Sequence, residues 1–104
     1  MSLDLPSVKN IDGSGLRIAM VASRYNGSLV DSLVSHASAT LTTSGADAPL
    51  IERVPGAAEL PFAAATLAAE KTFDAIIVIG VVIAGDTMHH EIIGESTANS
   101  LLEV

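Results

Sequence analysis

Apolar residues along this chain follow two different periods. The run Ile18 to Ala22 comes after polar Ser14-Gly15 and stops at Ser23-Arg24-Tyr25-Asn26, which predicts a short strand ending near Arg24. From Ser28 onward Leu29, Val30, Leu33, Val34, Ala37 and Leu41 recur at helical spacing until Ser44-Gly45, so a helix is expected there with Asn26 or Ser28 as its cap. Pro49 to Val54 is short and partly alternating, and Pro55-Gly56 closes it in a turn, as a second strand would be closed. Glu59 to Lys71 is Ala-rich and predicts a second helix, with Pro61 tolerated in the first turn. Phe73 to Ile83 is a nearly continuous β-branched run, the pattern of a strand covered on both faces, and it is expected to be the central strand. Beyond Gly85, the residues Ile92, Ile93, Leu101 and Leu102 suit a third helix capped by Asp86 or Thr87.

Strand and helix alternating three times predicts an α/β fold, with a parallel sheet and helices on both of its faces. Three strands make a narrow sheet. The 104 residues read as one domain, with residues 1–14 as a flexible N-terminal arm and no internal repeat. Apolar residues are 49% of the chain but aromatics only 3%, so the core must be built from Ala, Val, Leu and Ile. That composition leaves apolar faces on a short chain, and a homo-oligomer is expected. The formal charge of −7 argues against nucleic acid or an anionic membrane as partner, so any bound anion must be held by local geometry. The chain has no Cys, no signal peptide is evident, and the longest apolar stretch, Ala75 to Ala84, is too short to span a membrane. These features fit a cytoplasmic protein.

In open parallel sheets, ligands bind beyond the carboxyl ends of the strands, and all three strand-to-helix junctions carry unusual residues. At the first, Tyr25 can stack on a planar heterocycle and Asn26 can pair with its edge; alternatively Tyr25 is a surface residue and Asn26 a helix cap. At the second, Gly56, Ala57 and Ala58 let a ligand approach the backbone, and Glu59 can accept hydrogen bonds from a polyol or an amine, unless it only complements the helix dipole. The third is Gly85-Asp86-Thr87-Met88-His89-His90-Glu91, where free N–H groups at a helix start and the Thr87 hydroxyl suit a phosphate. His89 in that first turn can shuttle protons. His90 has no clear role, because adjacent helix positions point about 100° apart. Metal binding fails on spacing, since helical metal sites place histidines four apart and these two are adjacent. His36 is expected at the surface. No dinucleotide fingerprint, phosphate-loop lysine or nucleophile elbow is present, and no cofactor is expected.

Taken together, Arg24-Tyr25-Asn26, Pro55-Gly56-Ala57-Ala58-Glu59-Leu60-Pro61 and Gly85-Asp86-Thr87-Met88-His89, in this order and spacing, resemble the lumazine synthase family of riboflavin biosynthesis. The resemblance runs from about Gly15 to Val104. It implies a flavodoxin-like three-layer α/β sandwich, assembled as pentamers or multiples of them, with riboflavin synthase as a further partner. It also implies the cofactor-free condensation of 5-amino-6-(D-ribitylamino)uracil with 3,4-dihydroxy-2-butanone 4-phosphate, releasing water and phosphate. Carried over by motif, Tyr25 stacks on the pyrimidine with Asn26 beside it, Ala57, Ala58 and Glu59 line the ribityl site, and Val81, Val82 and Ile83 contact the pyrimidine through their backbone. Asp86 and Thr87 hold the phosphate and His89 is the acid/base catalyst.

Departures from the family pattern accompany the match. Ala84 stands where the family typically has Arg, and His90 and Ile92 replace the usual aromatic residues after the catalytic His. These residues correspond to roughly the first two-thirds of the family's usual length, so a sheet without the family's later strand and helices is expected, and with it an anion site short of its cation. A catalytically silent assembly or heterocycle-binding module of the same fold is the alternative reading.

Overall fold

The computed structural model describes residues 11–84 and 89–104, His89 through its backbone only. Three strands and three helices alternate: β1 (Ile18–Ser23), α1 (Gly27–Thr43), β2 (Leu50–Val54), α2 (Leu60–Ala69), β3 (Ala75–Ile79) and α3 (His89–Leu102). A single 3₁₀ turn, Ala57–Glu59, leads into α2. All strand pairings are parallel, and β1 lies in the middle of the order β2-β1-β3, with Val21 opposite Glu52 on one side and Val78 on the other. A parallel sheet that begins in this order is the doubly wound, flavodoxin-like arrangement.

Within the described three-stranded sheet the middle strand is therefore β1, not the β-branched run near residue 80. The reason is lateral and facial burial: all six residues of β1 are buried, whereas β3 is exposed at Ala75 and half-buried beyond it. Alternation along β1 sends its side chains into two separate cores. Ala19 and Val21 pack with Leu60 and Leu67 under α2, joined by Val54, Phe73, Ile76 and Val78. Met20 and Ala22 pack with Val30 and Val34 under α1, joined by Leu41, Ile77 and Ile79. The small Ala19 and Ala22 let both helical layers close on the strand, which is how a chain poor in aromatics fills a core. The third helix lies against α2 and the 3₁₀ turn.

Local chemistry explains the element ends. Asn26 precedes α1 in the left-handed region, φ 58° and ψ 47°, which Asn tolerates better than most residues. Its side chain does not cap the helix. Lys71, at φ 57°, takes the left-handed position after α2, and its N–H donates to the Ala68 carbonyl at 3.2 Å. The helix thus ends before Lys71 in a C-terminal motif usually served by Gly. Just past the end of β3, Gly80 passes close to Leu60: a Cβ there would lie 2.8 Å from Leu60 Cδ1. Of the stretch expected as a flexible arm, residues 1–10 lie outside the described residues. Gly13 is buried, and its N–H donates to the Ser44 carbonyl at 2.6 Å.

Candidate active site

At the carboxyl ends of the strands the three junctions enclose a cleft of about 460 Å³. It is lined by Tyr25 and Asn26 from the first junction, Gly56, Ala57, Ala58 and Glu59 from the second, Val81, Val82 and Ile83 after β3, and His90 and Ile93 from α3. Nine residues given a ligand role from the sequence, Tyr25, Asn26, Gly56, Ala57, Ala58, Glu59, Val81, Val82 and Ile83, thus share one cavity. Asp86, Thr87 and the His89 side chain lie outside the described residues; the His89 backbone opens α3 at the same end of the sheet.

Each wall has its own structural cause. Parallel pairing of β1 with β2 brings their ends together, and the Arg24 and Tyr25 N–H groups continue the ladder onto Val54 and Pro55 carbonyls at 2.7 and 3.1 Å. This leaves the Tyr25 ring 76% exposed, its face open to a planar partner at the cleft mouth. Asn26 spans the cleft floor: its amide Nδ2 donates to the Val81 carbonyl at 2.9 Å, tying the start of α1 to the segment after β3. That tether, not helix capping, is how the side chain is used. The wall Val81–Ile83 is exposed apolar surface at Val82 and Ile83, although these residues read as strand in the sequence.

Glu59 combines two of the roles left open by sequence. Its carboxylate Oε2 accepts the Gly56 N–H at 2.9 Å, closing the 3₁₀ turn on itself. An ionised carboxylate has about four acceptor positions, so this bond leaves capacity for ligand hydroxyls. On the far side, Thr97 Oγ1 donates to the Ala57 carbonyl at 3.3 Å and holds α3 against the turn. Small side chains at Gly56, Ala57 and Ala58 keep the backbone reachable by a ligand.

His90 and Ile93 are lining residues to which sequence reasoning gave no ligand role. Their signal was the helical spacing of three, masked by the polar neighbours of His90. The Arg53 guanidinium pairs with Asp31 of α1 at 2.7 Å. His36 is exposed on α1, with Nδ1 2.7 Å from the Ser32 carbonyl. Among the described residues, no group of three or more His, Asp or Glu side chains is placed to hold a metal ion, and no helix is long and apolar enough to cross a membrane.

A pocket of this kind, at the carboxyl ends of a doubly wound sheet and walled by three strand-to-helix junctions, defines the class as an α/β ligand-binding or enzyme fold. Residues 15–104 match the family model of 6,7-dimethyl-8-ribityllumazine synthase, and the chain belongs to that family. It is 36% identical over 104 residues, all of this chain and 61% of the relative, to the 6,7-dimethyl-8-ribityllumazine synthase of Cutibacterium acnes. It is 43% identical over 94 residues, 90% of this chain and 58% of the relative, to that of Kineococcus radiotolerans. With that of Mycobacterium leprae it shares 38% identity over 100 residues, 96% of this chain and 61% of the relative. The chain spans about three-fifths of the length of these curated relatives.

Proposed function

We propose that this protein makes 6,7-dimethyl-8-ribityllumazine, condensing 5-amino-6-(D-ribitylamino)uracil with 3,4-dihydroxy-2-butanone 4-phosphate and releasing water and phosphate. The observation that carries the reading is the single cleft that gathers Tyr25, Asn26, Ala57, Ala58, Glu59 and the wall Val81–Ile83. The pyrimidine stacks on Tyr25 against the apolar wall, and the ribityl chain runs over Ala57 and Ala58 with its hydroxyls on Glu59. Asp86 and Thr87, in the segment leading into α3, hold the phosphate through N–H groups at the helix start.

Joining an amine to a ketone requires a proton to leave nitrogen and another to reach the oxygen that departs as water. Loss of phosphate then requires a proton taken from carbon. His89, at the head of α3, serves both directions as general acid and base, a role for which imidazole suits neutral pH. Holding both substrates in one cleft supplies the remaining advantage, by making the bond-forming step effectively unimolecular. The protein works without a cofactor, in the cytoplasm, as a homo-oligomer of pentamers, with riboflavin synthase as the enzyme that takes its product.

The test is turnover of both substrates together, followed by the absorbance of the lumazine product. Product formed only when both substrates are present supports the reading. A folded protein that binds neither substrate and forms no lumazine overturns it, and the silent assembly module then becomes the better account.

A further inference from the structure

Among the described residues, Ser23 Oγ and Ser38 Oγ are buried side-chain oxygens without a hydrogen-bond partner. Ser38 lies on α1, roughly three turns past the first residue of that helix and away from the cleft. Ser23 is placed differently: it is the last residue of β1, two positions before Tyr25 of the cleft. Alternation along β1 puts its side chain on the face of Ala19 and Val21, beneath α2. The residue is 1% exposed, so its hydroxyl has been taken out of water. Its carbonyl is served, accepting from Arg53 Nη1 at 3.4 Å, but the hydroxyl is not. A buried polar group left unpaired carries its full desolvation penalty, and in a native fold such a group calls for a reason.

The neighbours of Ser23 supply one. A Cβ built on Gly80 would lie 3.6 Å from Ser23 Oγ and 3.6 Å from Ala57 Cβ. The hydroxyl thus sits at the seam where two cleft walls meet below the surface. One wall is the 3₁₀ turn that begins at Ala57; the other runs from Gly80 into Val81, Val82 and Ile83. Because Gly80 has no side chain, none of its own atoms stands between its peptide groups and the hydroxyl.

We propose that Ser23 is a positioning residue for the ribitylaminouracil: its hydroxyl, unpaired in the free protein, bonds to the Gly80 backbone when the pyrimidine settles on the Val81–Ile83 wall. The proposal deepens the function proposed above and rests on it. Ser23 touches no substrate atom and acts through Gly80. The free protein carries the unpaired hydroxyl as a cost, and binding relieves it, so part of the affinity for this substrate comes from beneath the cleft floor. Removing the hydroxyl therefore has effects of opposite sign: it leaves the free protein no less stable and weakens binding. A hydroxyl that only held the fold together would give losses in both.

The experiment compares wild type, Ser23→Ala and Ser23→Cys as full chains, by thermal unfolding without ligand and by calorimetric titration with each substrate alone. Cys restores the side-chain volume but is a weak donor and acceptor, so it separates the hydrogen bond from the packing. Both variants unfold at the wild-type midpoint or a few degrees above it. Both bind the ribitylaminouracil about tenfold more weakly, as expected when a buried hydroxyl no longer gains a partner. Affinity for the butanone phosphate stays within about twofold. A midpoint below wild type in both variants overturns the inference alone, because the hydroxyl was then already paired in the free protein. Wild-type affinity for the ribitylaminouracil in either variant, or equal loss of both substrates, also overturns it alone. A wild-type protein that binds neither substrate overturns both this inference and the function on which it rests.

Discussion

Asn26 joins two features that most residues cannot combine, a left-handed backbone and a hydrogen bond across the cleft to Val81. Replacing it with Ala removes both. Loss of a part-buried neutral hydrogen bond costs about 0.5–1.5 kcal/mol, and holding Ala at this φ adds about 1 kcal/mol, so Asn26→Ala should destabilise by about 2 kcal/mol. Asn26→Gly keeps the backbone geometry but not the bond, and should cost about 1 kcal/mol. Urea unfolding at fixed protein concentration measures both, with the thermal midpoint of the Ala variant falling by roughly 8–15 °C. Because the tether fixes the Val81–Ile83 wall, both variants should also lose affinity for the ribitylaminouracil, Gly more than its small stability loss alone explains. The reasoning is refuted if Asn26→Ala is as stable as wild type, or if Asn26→Gly is the less stable of the two.

Gly80→Ala places a methyl 2.8 Å from Leu60 Cδ1, in a core where Leu60 is 2% exposed; an overpacking loss of about 1–3 kcal/mol is expected in the same unfolding assay. Lys71→Gly should raise stability by about 1 kcal/mol, because Lys71 holds φ 57° at the end of α2, and a lowered midpoint would contradict that account. The Asp12 carboxyl is held below the usual carboxylate range by hydrogen bonds from the Ser14 hydroxyl and N–H, the latter at 2.9 Å. The sign follows from linkage: the turn keeps its contribution above the unfolded value and loses it as pH falls through the lower folded value, so the Ser14 amide resonance should move at acid pH and stay fixed in Asp12→Asn.

Element order and the three junctions were legible because each rests on local signals: period, turn residues and cap chemistry. The order of strands in the sheet was not. Phe73 to Ile83 reads as one apolar run, yet only Ala75–Ile79 is strand, and its last apolar residues face the cleft. Apolar character alone does not distinguish a core-facing position from a ligand-facing one. The six residues of β1 look less hydrophobic than that run, yet they lie in the middle of the described sheet, paired with β2 and β3 and covered by a helix on each face. Lys71 gave no warning of a left-handed stop, since no Gly marks it. The partner of Asn26 is 55 residues away and leaves no trace in local pattern. His90 was passed over because an inward helical stripe is normally recognised by apolar residues, and here His90, Gly94 and Thr97 dilute it.

The central claim is that the cleft at the carboxyl ends of these strands is where lumazine is made, with the head of α3 supplying the catalyst. Steady-state turnover of His89→Ala with both substrates tests it most directly. The account predicts that kcat falls by about a hundredfold or more, while binding of the ribitylaminouracil, measured separately, is unchanged. Turnover that survives His89→Ala at the wild-type rate would contradict it.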